Sequence, residues 1–151
     1  MKIIAKNRRA FFDYEITDRL VAGLVLAGHE VKSIRAGHIS LKGSFVHFTN
    51  HEAYLVNSHI RKESHAGAIA DYDPTRSRKL LLKQSEIEHL QAAKRGTSMA
   101  IVPLAVGLER GRVKLEIGLG RGKKRFDKRE VARKKAAERD NALERKVRKI
   151  T

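Results

Sequence analysis

The chain has no cysteine, no tryptophan and only two prolines, and its aromatics amount to five phenylalanines and three tyrosines in 151 residues. Without cysteine it has no disulfide framework, no thiolate nucleophile, no iron–sulfur cluster and none of the usual structural zinc sites, so its stability must come from packing. Long apolar runs are missing too. Nothing approaches the roughly 20 residues of a membrane-spanning helix. Met1-Lys2-Ile3-Ile4-Ala5-Lys6-Asn7 has too short an apolar segment for a signal peptide, which makes the cytosol the expected location. Acidic residues are scarce: 17 stand against 33 lysines and arginines, a net charge of +16. An imbalance of that size exceeds what solubility requires and points to a polyanionic partner.

Reactive constellations are also lacking. The seven histidines are scattered, and His47 and His51 straddle a predicted turn, so no metal site is expected. No nucleophile-elbow pattern and no acid–base pair of carboxylates stands out, so catalysis has no candidate residues. Gly118, Gly120 and Gly122 suggest a phosphate-binding loop at first sight. A P-loop ending at Gly122-Lys123 would need glycine at position 117 and serine or threonine at 124, where the chain has Ile117 and Lys124. No cofactor or small-molecule substrate is expected.

What is present divides unevenly. Residues 1 to 120 carry 19 basic and 12 acidic groups, a net of +7, whereas residues 121 to 151 carry 14 and 5, a net of +9. Almost every strongly apolar run lies before Gly122. The expected organisation is a body of residues 1–121, long enough to enclose one core, followed by a basic arm of residues 122–151.

Period-two alternation dominates the body. Arg112 to Ile117 alternates cleanly, and Met99 to Leu108 reads as a strand covered on both sides, joined to the first by Glu109-Arg110-Gly111 as a hairpin. Ser44 to Phe48 and Ala53 to Ile60 form a second predicted hairpin, with Thr49-Asn50-His51-Glu52 as its turn. Phe11 to Leu26 predicts a long strand bent by a bulge at Gly23, with helix as a rival reading. Two short helices are predicted. One runs from Ser85, as cap, to Arg95; the other runs from Gly28 to Ala36, with Val31 and Ile34 inward, Lys32 and Arg35 outward, and Gly37 as its stop. Residues 64–77 read as a surface loop. Short strands around one or two small helices predict a mainly β fold, an oligonucleotide-binding-like β-barrel, closed or partly open.

Arg121 to Arg129 packs six cations around a glycine and includes Phe126, a pattern suited to phosphate contact. In the arm, Asp127 and Glu130 have the spacing of a helix start, and Ala132, Ala136, Leu143, Val147 and Ile150 fall near one helical face. The stripe is thin and the cations repel one another. The arm is therefore expected to be unstructured alone and helical on a partner, with a permanently docked helix as the alternative. Asn7-Arg8-Arg9 can deliver two phosphate contacts and an amide. Tyr14 either stacks on a base or packs in the sheet. Arg78 and Lys79, at the entrance to Leu80-Leu81-Leu82, complete the candidates for RNA binding, with a solvated rim as the ordinary alternative.

Particular words of the sequence go further: Asn7-Arg8-Arg9-Ala10, Asp13-Tyr14-Glu15-Ile16, Ala22-Gly23-Leu24-Val25-Leu26, Glu30 to Gly37, Arg78-Lys79-Leu80-Leu81-Leu82 and Gly122 to Glu130. In order and spacing they resemble the SsrA-binding protein (small protein B) family, nearly end to end. The resemblance implies a non-enzymatic protein with an oligonucleotide-binding-like barrel. Such a barrel would bind the transfer-RNA-like part of transfer-messenger RNA and bring it to stalled ribosomes for trans-translation. It implies Asn7, Arg8, Tyr14, Lys32, Arg35, Lys123 and Lys124 at that RNA surface. Phe126, Asp127, Lys128 and Arg129 would serve the ribosome, where the arm would meet small-subunit ribosomal RNA in the decoding site and messenger channel. The chain departs from the family's usual pattern at Val21, where glutamate is common, at His29 (threonine) and at Ser77 (proline). A structural component of the ribosome, bound permanently to ribosomal RNA, would share the charge, the barrel and the arm.

Overall fold

The computed structural model describes residues 1–63, 71–95 and 99–123, together with positions 133 and 136. In chain order the elements are β1 (Lys2–Lys6), α1 (Arg8–Asp13), β2 (Tyr14–Leu24), α2 (Gly28–Arg35), β3 (Ile39–Ser40), β4 (Phe45–Thr49), β5 (Glu52–Val56), β6 (His59–Ile60), β7 (Arg78–Leu81), α3 (Gln84–Lys94), β8 (Met99–Glu109) and β9 (Arg112–Gly122). Seven strands make one antiparallel sheet in the order β1-β8-β9-β2-β7-β5-β4, and β3 pairs with β6 beside it. The sheet curls until its edge strand β4 comes back against β8, giving the mainly β, partly open barrel.

Both predicted hairpins form, and for the expected reason. Glu109 pairs with Arg112 and Thr49 with Glu52, which leaves two-residue turns at Arg110-Gly111 and Asn50-His51. All four turn residues have positive φ, the backbone that matches the twist of tight hairpins. The expected strand from Ala53 to Ile60 is instead two strands. Asn57, at φ 64°, breaks it, so that β6 leaves the main sheet to pair with β3. The long strand expected from Phe11 begins at Tyr14, because Arg8–Asp13 form a helix capped by Asn7. Its bulge lies at Thr17, between Ile16 and Asp18, rather than at Gly23. A matching irregularity in β8 falls between Pro103 and Ala105, where a missing N–H is tolerated, and the two bulges bend neighbouring strands. The strand β1 was not predicted. The helix α3 starts at Gln84, and the Glu86 carboxylate, not Ser85, accepts the Lys83 N–H at 2.9 Å.

Leu55, Leu80, Val106, Leu115 and Ile117 from the strands enclose the core with Ile34 of α2 and Leu90 of α3. A smaller cluster of Ala10, Val102 and Leu104, flanked by Phe11, Tyr14 and Ile16, seats α1 on the outside of the sheet. The glycines of β9 serve this cluster. A Cβ at Gly118 would fall 2.7 Å from Leu104 Cδ1, and one at Gly120 would fall 2.8 Å from Tyr14 Cβ. Gly37, at φ +84°, ends α2 as predicted.

Arg78 and Glu30 are fully buried and joined through the core. Glu30 Oε2 accepts from Arg78 Nε at 2.9 Å and from Nη2 at 2.8 Å, while Oε1 accepts from the Ala27 N–H at 2.9 Å and from Arg76. The remaining Arg78 donors reach Ser58 O and Pro74 O, both at 2.9 Å, and Tyr72 Oη at 3.0 Å. Burial pushes the Glu30 carboxyl up, but hydrogen bonds from Arg76, Ala27 and Arg78 outweigh it and hold the group down to about 2. Among the described residues no helix is long and apolar enough to cross a membrane.

The packing makes three substitutions informative about stability. Removing one side of a buried ion pair strands the other charge, so Arg78→Ala should cost about 3–5 kcal/mol in urea unfolding. Because the folded Glu30 pKa lies below its unfolded value of 4.5, its contribution is complete above that value and is lost as pH falls toward about 2. Acid unfolding of Glu30→Gln should therefore show a shallower pH dependence than the parent protein across that window. Gly120→Ala should cost about 1–3 kcal/mol by overpacking against Tyr14, with little change in the denaturant slope.

Candidate nucleic-acid interface

The two long strands β8 and β9 form a hairpin with expected RNA-binding residues at both ends. Lys114 and Gly122, near the two ends of β9, are about 25 Å apart at ~3.3 Å per residue. Near the turn of the hairpin, Lys32 and Arg35 stand exposed on α2, and Arg35 Nη2 donates to Gly111 O at 2.9 Å. At the open end, Asn7, Arg8, Arg9, Tyr14 and Lys123 gather around α1.

At the α2 end the sheet presents a mixed apolar and cationic face. Strand pairing places Lys114, Gly23 and Leu81 abreast across β9, β2 and β7, so all three lie on one face. Leu81 is 55% exposed, and Val21 and Val25, two residues either side of Gly23, are 48% and 47% exposed. A depression of about 270 Å³ runs beside Gly23 and Leu81 and is rimmed by Arg112 and Lys114. Lys79, two residues before Leu81 on the same face of β7, has Nζ 3.0 Å from Glu52 Oε1. Glu52 also accepts from Tyr54 Oη at 2.6 Å, and the Tyr54 and Lys79 hydrogen bonds lower its carboxyl pKa. Val21 is faced across the strand pair by Glu116, whose carboxylate accepts from Arg19 Nη1 at 2.9 Å. A carboxylate thus stands next to Val21, on the neighbouring strand.

Of these residues the sequence marks only Val21, as a departure from the family pattern; Leu81, Val25, Lys114 and Arg112 are not among its site candidates. The signal was available for Leu81: with Arg78 inward, period-two alternation sends Lys79 and Leu81 outward. Arg78 requires a correction. The sequence groups it with Lys79 as an RNA-binding candidate, but it is fully enclosed and its guanidinium is taken up by Glu30, Ser58, Tyr72 and Pro74. Adjacent cations read alike in sequence, and pairing with the distant Glu30 separates their roles.

Around α1 the candidates again divide by burial. Asn7 is 8% exposed, and its side chain is engaged: Oδ1 accepts from the Ala10 N–H at 3.2 Å and Nδ2 donates to Pro103 O at 2.9 Å. It caps α1 and ties it to β8. Tyr14 packs half-buried in the small cluster, with its ring beside Gly120. Arg8 and Arg9 are exposed, and Arg9 Nε pairs with Asp13 Oδ2 at 3.0 Å, its guanidinium 5.6 Å from the Phe12 ring. Lys123 Nζ donates to Phe11 O at 3.1 Å and its N–H to Asp13 O at 2.9 Å, which anchors the start of the basic arm beside α1. Lys124, Phe126, Asp127, Lys128 and Arg129 lie outside the described residues, as does the expected helix of the arm except at Arg133 and Ala136. Among the described residues no three histidine, aspartate or glutamate side chains gather as a metal site would require.

Comparison with known proteins agrees with the resemblance. The family model of SmpB protein matches residues 4–149. The SsrA-binding protein of Chloroflexus aggregans is 43% identical over 148 residues, covering 97% of this chain and 94% of the relative. That of Streptococcus pyogenes serotype M3 is 47% identical over 138 residues, covering 91% and 88%. A chain in the solved structure "tmRNA-SmpB: a journey to the center of the bacterial ribosome" is 42% identical with a TM-score of 0.66, covering 85% of this chain and 94% of that one. The chain belongs to the SmpB protein family.

Proposed function

We propose that this protein binds the transfer-RNA-like part of transfer-messenger RNA through its barrel and delivers it to stalled ribosomes for trans-translation. The observation that carries this reading is the α2-end face. Its apolar surface at Leu81, Val21 and Val25 is bordered by Lys114, Arg112 and Lys79, with exposed Lys32 and Arg35 on the neighbouring helix. Lysine and arginine bind backbone phosphate without reading sequence, and apolar surface beside them suits sugars and base faces. Membership of the family supports the RNA partner, and the likeness to a tmRNA–SmpB chain described in the bacterial ribosome supports the destination. Arg8, Arg9, Lys123 and Lys124 extend the cationic surface around α1. The role is positional rather than catalytic, and it is exercised in the cytoplasm.

The division of labour places RNA selection in residues 1–121 and ribosome engagement in residues 122–151, with Phe126, Asp127, Lys128 and Arg129 leading the arm. The described core runs from Ala10 to Leu119, within the residues assigned to RNA selection. A permanent ribosomal component would share the charge and barrel but would occupy ribosomes one to one.

Deletion of residues 127–151 should leave transfer-messenger RNA affinity within a few-fold of the full chain while abolishing peptide tagging on stalled ribosomes. A loss of RNA affinity matching that of a mutated barrel face would refute the division. In the barrel, Leu81→Asp combined with Lys114→Ala should weaken RNA binding at least about tenfold, ~1.4 kcal/mol, in filter binding, with an unchanged melting temperature because both side chains lie on the outer face. If the body neutralises about six phosphates, log affinity should fall against log salt with a slope near −4, and a flat response would contradict an electrostatic interface. Purification from cells should recover transfer-messenger RNA and substoichiometric ribosome association.

A further inference from the structure

The face assigned to transfer-messenger RNA holds a carboxylate, which a surface for a polyanion has reason to avoid. Glu116 follows Lys114 on the same side of β9 and stands directly opposite Val21 on β2. Its side chain is 19% exposed, and Oε1 accepts from Arg19 Nη1 at 2.9 Å. The Arg19 guanidinium lies 5.5 Å from the Phe11 ring, so the carboxylate is held at the end of a chain of contacts that starts on α1. Among the described residues Oε2 accepts no hydrogen bond. Glu52, the carboxylate beside Lys79, differs in this respect, because both of its oxygens are engaged, by Tyr54 Oη and Lys79 Nζ.

Stability does not account for Glu116. An ion pair whose arginine is 56% exposed adds little to folding. Phosphate binding does not account for it either, because a carboxylate two residues from Lys114 repels the phosphate that Lys114 attracts. What a carboxylate on such a face can do is accept a hydrogen bond from the RNA, whose donors are the ribose 2′-hydroxyl and the amines of the bases. One oxygen is engaged by Arg19 and the other is open, beside the apolar Val21, which suits a ribose or a base face. We infer that Glu116 is a specificity-determining residue of the RNA face. It accepts a hydrogen bond from a ribose 2′-hydroxyl or a base amine and, by excluding phosphate from that spot, fixes the register of the RNA against Lys114 and Leu81. The inference rests on the proposed binding of transfer-messenger RNA through this face and names the group that makes the binding selective.

Glu116→Val removes the acceptor and Glu116→Gln removes the charge, both at a partly exposed strand position. In filter binding to transfer-messenger RNA, the valine variant should lose about tenfold in affinity and the glutamine variant about threefold. Affinity for a length-matched double-stranded RNA should hold or rise, since a repulsive charge is gone. Unchanged or tighter binding of transfer-messenger RNA by both variants would overturn the inference. An equal loss for both RNAs would overturn it too, by making Glu116 a structural residue only. Hydroxyl-radical footprinting locates the donor: nucleotides protected by the parent protein and released by Glu116→Val are replaced singly by the 2′-deoxynucleotide, or by the base without its amine, such as inosine for guanosine. One replacement should cost the parent about tenfold and Glu116→Val less than about twofold. Such a result in the deoxy arm assigns the ribose, and in the amine-free arm the base. Costs that are equal in the two proteins at every position would overturn the contact. A lowered melting temperature would not obscure this, because a folding defect lowers affinity for every RNA alike. Failure of the parent to bind transfer-messenger RNA would overturn the proposed function and this inference with it, whereas normal parent binding with indifferent variants would overturn this inference alone.

Discussion

The buried pair of Glu30 and Arg78 is the constraint on which the working surface depends. A carboxylate and a guanidinium without solvent are tolerated only when nearly every donor and acceptor is met, and here the partners come from many parts of the chain. Glu30 reaches back to the Ala27 N–H at the start of α2, and Arg78 reaches Ser58 before β6 and Pro74 before β7. Tyr72 bridges the two, with its hydroxyl also 2.9 Å from Ile60 O. Such a network specifies one seating of α2 on the strands, because a shifted helix would leave a charge unpaired. Lys32 and Arg35 follow Glu30 on the same short helix, so their placement is inherited from it. On β7, drawing Arg78 inward sends Lys79 and Leu81 outward. Buried and exposed cations are thus two consequences of one hydrogen-bonded cluster.

The sheet then distributes these residues. Bulges at Thr17 and beside Leu104 bend neighbouring strands, bring β4 back toward β8 and leave room on the outer side for α1. Asn7 closes that arrangement by capping α1 and satisfying Pro103 O, while its own N–H donates to Leu104 O at 2.8 Å. One end of the hairpin therefore carries α2 with an apolar, cation-rimmed face, and the other carries α1 with the exit of the basic arm.

Much of this architecture was legible in the residues. The alternation from Arg112 to Ile117, the two tight turns and the stop of α2 at Gly37 all read correctly, since each depends on local backbone preference and on one buried sheet face. The errors share a different cause. Arg8 to Asp13 is helical because Asn7 is held by β8, a hundred residues away in sequence, and Phe11 and Phe12 read as strand without that information. Asn57 gave no warning of its positive φ beyond being an asparagine. The glycines of β9, correctly refused as a phosphate loop, owe their place to Leu104 and Tyr14 packed across them.

For the site, composition and motif alone determined the kind of partner, because charge and the order of short sequence words are properties of the chain itself. Which cations are left exposed to a partner was decided only by the tertiary structure. Arg78 and Lys79 are adjacent cations, and Asn7 and Arg8 are adjacent polar residues, yet one of each pair is buried and committed while the other faces out. Burial depends on what stands opposite in three dimensions, and Glu30 and Pro103 are 48 and 96 residues away from the groups they engage.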